Sequence, residues 1–193
     1  NLEIVSIELE GDDDPQIIFE TLNARGEPLL ASDLLRNYIF LKASQRNEDS
    51  AELYNTYWLR FDQSFWKTEE KQGRLKRPRI DIFFQHLLQA KTGEEISVSH
   101  LYVDYKQWIK DTDPFSSVAD ELTLLNHYAD RFEKLIAATD TDLLGRFSKV
   151  LTILDVKTIY PLLLFLACDA QVADEELAGI LTDLESYLVR RLV

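Results

Sequence analysis

Asn23 and Arg25 are the residues whose type and spacing best fit a chemical role. They stand in Ile18-Phe-Glu-Thr-Leu-Asn-Ala-Arg-Gly26, where a helix opened by Asp14-Pro15 closes at Gly26 and a second helix opens at Ser32. Asp before Pro makes a good N-cap and first-turn pair, and Gly supplies the left-handed residue that ends a helix. Both side chains therefore project from a helix end beside a tight turn. Asn23 offers amide donors and an acceptor, and Arg25 a planar cationic fork suited to phosphate or carboxylate. The same placement also suits purely structural work, with Arg25 complementing a helix C-terminus and Asn23 capping the turn.

A second constellation is basic. Lys67, Lys71, Arg74, Lys76, Arg77 and Arg79 face only Glu69 and Glu70, giving +4 within a 193-residue chain of net charge -13. These six cations are candidate DNA contacts, which would make binding fall steeply with salt. The alternative is a solvated linker beside Pro78. Just upstream, Tyr54, Tyr57, Trp58, Phe61, Phe65 and Trp66 could stack bases. Their three- and four-residue spacing instead describes one helix face, and core packing is the expectation. Asp12, Asp13 and Asp14 could hold Mg2+ or serve a helix N-terminus. His86, His100 and His127 lack metal-ligand spacing and are read as packed or surface histidines, so no metal ligand is assigned. Asp169 beside the lone Cys168 disfavours its thiolate, so no nucleophile is assigned there.

The elements that must position these residues are almost all helical. Residues 2–9 alternate as a strand, and further amphipathic helices are expected at about 32–41, 50–66, 79–91, 99–110, 117–138, 142–154, 157–168 and from Asp174 onward. The fold class is therefore mostly α: a multi-helix bundle with one N-terminal β-strand. With 46% hydrophobic residues, including 10 Phe, 8 Tyr and 3 Trp, the chain can fill a core. The longest apolar stretch, Tyr160 to Cys168, is about half the length of a membrane span, so no membrane partner is expected. A single cysteine suits a reducing, cytoplasmic setting. The start at Asn1, the absence of Met and the apolar end Tyr187 to Val193 suggest a piece of a longer protein. Its missing N- and C-terminal domains are then its first expected partners, with DNA and a second copy of the chain beside them.

The run Asp13-Asp-Pro-Gln-Ile-Ile-Phe-Glu-Thr-Leu-Asn-Ala-Arg-Gly26, followed by Pro28-Leu and Ser32-Asp-Leu-Leu-Arg-Asn37, resembles the N-terminal domain family of GmrSD-type restriction endonucleases. The resemblance is specific over about residues 4–41 and continues loosely to Tyr187-Leu-Val-Arg-Arg191. Such domains resemble ParB and sulfiredoxin in their nucleotide-handling core, and many carry a His-Asn-His-type nuclease domain. The resemblance implies cleavage of modified or foreign DNA, dependent on nucleoside triphosphate and Mg2+, in bacterial phage defence. The glutamine-arginine and Asp-Gly-Gln-Gln-Arg motifs that carry the family's nucleotide chemistry do not occur in this sequence, nor does a His-Asn-His signature. Only Phe19, Asn23, Arg25 and Gly26, with Asp33 and Asn37, carry over as residues that complete a nucleotide pocket. This piece alone is expected to hold no catalytic residue, no cofactor and no activity. The organisation that follows is residues 1–66 as the C-terminal part of a nucleotide-binding domain, 67–79 as a basic linker and 80–193 as a helical domain. The alternative is a non-catalytic helical protein-interaction module.

Overall fold

The computed structural model describes residues 30–72, 75–170 and 172–192. The chain is mostly helical. The elements in order are α1 (Ala31–Gln45), α2 (Ser50–Leu53), a π-turn (Tyr54–Trp58), a 3-10 turn (Leu59–Asp62), α3 (Ser64–Lys67), β1 (Glu69–Gln72) and β2 (Leu75–Pro78). Then follow α4 (Arg79–Thr92), α5 (Leu101–Thr112), α6 (Val118–Ala137), α7 (Leu143–Leu154), α8 (Tyr160–Cys168) and α9 (Asp174–Leu192). The expected strand at 2–9, the helix from Asp14 to Gly26 and the Asp12–Asp14 cluster lie outside the described residues.

Caps explain most helix boundaries. Ser117 and Asp120 form a capping box at the start of α6, and the Glu48 carboxylate reaches in to accept from Val118 N–H (2.8 and 3.1 Å) and Ala119 N–H (3.2 Å). Asp142 caps α7 through Gly145 N–H at 2.8 Å. A Cβ on Gly145 would lie 2.2 Å from the Thr139 carbonyl oxygen, so the loop closes this tightly only over glycine. Gly93, at φ +72°, ends α4 in the left-handed conformation.

The aromatic face reads as core. Trp58, Phe61 and Trp66 are all buried, and Tyr54, Tyr57 and Phe65 pack partly buried against them. Residues 50–66 are, however, not one helix but an α, π and 3-10 succession broken at the extended Gln63. An unbroken helix carrying Trp58 and Phe61 inward would bring Phe65 to the same face and turn Trp66 away. The break lets Trp66 enter instead, where it stacks on Phe132 (5.8 Å between ring centroids) and meets Phe83 at 5.1 Å.

Residues 67–79 differ from the linker expectation in local structure. After Lys67 ends α3, they form an antiparallel hairpin whose register pairs Glu69 with Pro78, Glu70 with Arg77, Lys71 with Lys76 and Gln72 with Leu75. The hairpin is fixed by its charges. Arg79 donates to Glu70 Oε1 from Nε (3.1 Å) and Nη2 (2.7 Å), and Lys157 donates to Glu70 Oε2 at 3.1 Å. One connected core contains residues from both sides of the hairpin, Leu34 to Trp66 before it and Ile80 to Leu181 after it.

Candidate functional site

Of the motif residues, Asp33 and Asn37 are described; both are exposed on α1, one turn apart. Phe19, Asn23, Arg25 and Gly26 lie outside the described residues, as does Arg74 of the basic stretch. The position of α1 ties the helix that carries Asp33 and Asn37 to the helix that follows the basic stretch. Leu30, its N-cap residue, has no capping side chain to offer. Asp81, in the first turn of α4, takes that role across 49 residues by accepting Ser32 N–H at 2.9 Å. Asp81 is fully buried, and its Oδ2 has no hydrogen-bond partner among the described residues. Burial pushes its carboxyl above the usual range, aided by Asp33 and opposed by Ser32 and Arg77. The start of α1, four residues beyond Gly26 at Leu30, is thereby bound to the helix that directly follows the hairpin.

The hairpin sorts its cations into two groups. Arg79 is internal: besides Glu70, it donates to the Phe65 carbonyl at 2.9 Å and lies 4.2 Å from the Phe65 ring centre. Its guanidinium is thus committed to the fold. Although burial opposes it, hydrogen bonding from Arg79 and Lys157 keeps the Glu70 carboxyl below the usual carboxylate range. Arg77 is half-buried toward Asp81. Lys67, Lys71 and Lys76 are exposed; Lys67 is 4.0 Å from Asp62 and Lys76 is 3.6 Å from Glu69. Exposed pairs of that length contribute little and are readily exchanged for another anion. The cross-strand register sets Lys71 directly opposite Lys76, so two like charges share one hairpin face.

Beneath the hairpin lies a cavity of about 520 Å³ with Glu70 and Lys71 in its wall. Ile82, Phe132 and Ile136 make its apolar side, and His86, Tyr160 and Lys157 add polar atoms. His86 is 8% exposed, and burial pushes its imidazole down to about 4, so it is neutral at pH 7. Its Nδ1 lies 3.2 Å from Gln89 Oε1. With the Gln89 amide oxygen as acceptor, the tautomer is the one protonated at Nδ1, and Nε2 is an acceptor for which no donor occurs among the described residues. The sequence pattern missed this residue as part of a site. The available signal was a His beside Gln85 within the largely apolar run Ile82-Phe-Phe-Gln-His-Leu-Leu88.

No family model, curated protein or solved structure matches the chain. Among the described residues, no group of three or more His, Cys, Asp or Glu side chains is placed to hold a metal ion. Burial pushes the Cys168 thiol up to about 12, with Arg131 opposing and Asp169 adding to the effect. No described helix is long and apolar enough to cross a membrane.

Proposed function

We propose that this chain is the scaffold of a bacterial nucleoside-triphosphate-dependent restriction protein of the GmrSD type, in which the 69–78 hairpin contacts modified or foreign DNA. In that protein Phe19, Asn23, Arg25 and Gly26, supported by Asp33 and Asn37, complete a pocket for the triphosphate and its Mg2+. Hydrolysis and cleavage belong to domains beyond this chain, and the setting is the bacterial cytoplasm. The observation that supports the reading is the Ser32–Asp81 hydrogen bond, which joins the helix following the motif to the helix following the hairpin and its two exposed lysines, Lys71 and Lys76.

The test is fluorescence anisotropy on a short duplex over a range of salt concentrations. Each phosphate neutralised contributes about 0.9 to the slope of log affinity against log salt. Lys67→Ala, Lys71→Ala and Lys76→Ala together are expected to flatten the slope by up to about 2.7. An unchanged slope refutes DNA contact through the hairpin. The nucleotide role fails separately if the longer protein carrying Asn23→Ala and Arg25→Ala hydrolyses triphosphate as the parent does.

A second reading, a helical interaction module that also pairs with its own copy, is favoured by apolar side chains open on α7 to α9. These are Ile153, Leu162, Phe165, Tyr187 and Val189. Sedimentation showing a monomer at every concentration counts against self-association.

A further inference from the structure

The cavity under the hairpin shares Lys71 with the proposed DNA surface and has the features of a built site. Its volume of about 520 Å³ falls within the range of small-molecule pockets, roughly 300–1,000 Å³. Its floor is apolar; of its two deeply buried polar side chains, Tyr160 has its hydroxyl 3.3 Å from Ser148 Oγ, whereas His86 Nε2 is an acceptor with no donor among the described residues. A lone pair at the wall of a largely apolar pocket is best matched by a donor, so the site favours a ligand that brings an N–H or O–H.

The lining also carries charge, two cations, Lys71 and Lys157, beside two carboxylates, Glu70 and Asp155. Both Glu70 oxygens are already engaged by Arg79 and Lys157. Asp155 is the remaining carboxylate of the lining. An anion is therefore directed to the hairpin side, toward Lys71. Because Glu70 and Lys71 belong both to the hairpin and to the cavity wall, a strand in contact with Lys71 would pass the opening.

We propose that this cavity is a nucleotide site: it takes one nucleoside monophosphate unit, its base against Ile82, Phe132 and Ile136 and donating to His86 Nε2, its phosphate held by Lys71 and Lys157. The choice of a nucleotide over another planar, anionic ligand rests on the DNA-contact reading above. The unit comes either from the free nucleotide pool or from a strand that releases a base from its stack, which costs a few kcal/mol and least at a mismatch.

The experiment titrates the chain, with 15N in its histidine rings, with each deoxynucleoside monophosphate and with deoxyribose 5-phosphate. Calorimetry supplies the affinities. At least one nucleotide is expected to move the His86 ring resonances and to bind about tenfold more tightly than the sugar phosphate, the equivalent of one good hydrogen bond. His86→Phe, which keeps an aromatic ring beside Phe132 and Tyr160 and removes Nε2, is expected to lower affinity about tenfold. Lys157→Ala, at an exposed position, removes one of the two cations on Glu70 but leaves the Arg79 bonds that hold the hairpin, and it is expected to lower affinity severalfold. The proposal is overturned if the sugar phosphate binds as well as every nucleotide, or if both variants, shown folded by thermal melting, bind nucleotide as the parent does. A duplex with one mismatch distinguishes the sources. A preference for it that His86→Phe abolishes assigns the unit to a strand, and nucleotide binding without that preference assigns it to the free pool. If nucleotides fail to bind while the hairpin lysines still set the salt slope, the cavity assignment fails and the DNA surface stands. The reverse outcome drops the DNA surface and keeps the cavity.

Discussion

Lys42→Met tests a fully buried carboxylate, Glu121 of α6. Its Oε1 accepts the Tyr105 hydroxyl at 2.8 Å, and its Oε2 faces the Lys42 ammonium in an ion pair held by charge without a well-directed hydrogen bond. The Lys42 side chain is 14% exposed and also lies 5.2 Å from the Tyr38 ring centre. The two partners are thus unequal: Lys42 retains a path to water, whereas Glu121 has none. Removing Lys42 strands an uncompensated carboxylate between α1, α5 and α6, a change that costs about 3–5 kcal/mol. Against a typical total stability of about 5–15 kcal/mol, this is a large fraction. Glu121→Gln keeps the Tyr105 acceptor and lets Lys42 turn outward, for a loss of about 1–3 kcal/mol. Since the double variant buries no charge, its loss should fall short of the sum of the singles by at least about 1.5 kcal/mol. Urea unfolding at pH 7, followed by tryptophan fluorescence, measures all three. A loss under 1 kcal/mol for Lys42→Met, or strict additivity in the cycle, would refute the reasoning.

His86 supplies a pH signature. Its folded value of about 4 lies below the ordinary 6.5, so the unfolded chain binds more protons between the two, and the contribution is fully present above pH 6.5. It declines as pH falls from there toward 4, by about 3 kcal/mol in all; parallel urea titrations should show His86→Phe losing that part of the slope. Gly145→Ala should destabilise by about 1–3 kcal/mol in the same assay, because the added Cβ meets the Thr139 carbonyl oxygen at 2.2 Å. Glu48→Ala removes the acceptor for two α6 N–H groups and should cost about 1–2 kcal/mol, with faster amide exchange at Val118 and Ala119 as the local sign.

Helix positions were legible because their signals are local. The expected spans from 79 to 154 agree with α4 to α7 within a residue or two, since caps such as Ser117 and Asp142 and the left-handed Gly93 act within one turn of their own helix. The hairpin was not legible. Glu69-Glu-Lys-Gln72 and Leu75-Lys-Arg-Pro78 contain no β-branched residue, and their pairing depends on Arg79 and on Lys157, 87 positions from Glu70. Asp81 likewise reads as an ordinary acidic residue in a helix's first turn. Its acceptance of Ser32 N–H exists only because α1 and α4 pack together.

The sequence by itself determined a mostly helical chain, the inward aromatic face around Trp58 and Phe61, the acidic balance and the one basic segment. Each follows from spacing or composition, which a chain carries before it folds. Tertiary structure decided which of the hairpin cations serve the fold and which face solvent, turned Trp66 inward and brought the starts of α1 and α4 together. It also set His86 in the wall of a cavity. Those outcomes depend on partners in other elements, as far apart as 49 positions for Ser32 and Asp81 and 87 for Glu70 and Lys157, and residue spacing along one helix does not encode what a second helix places opposite it.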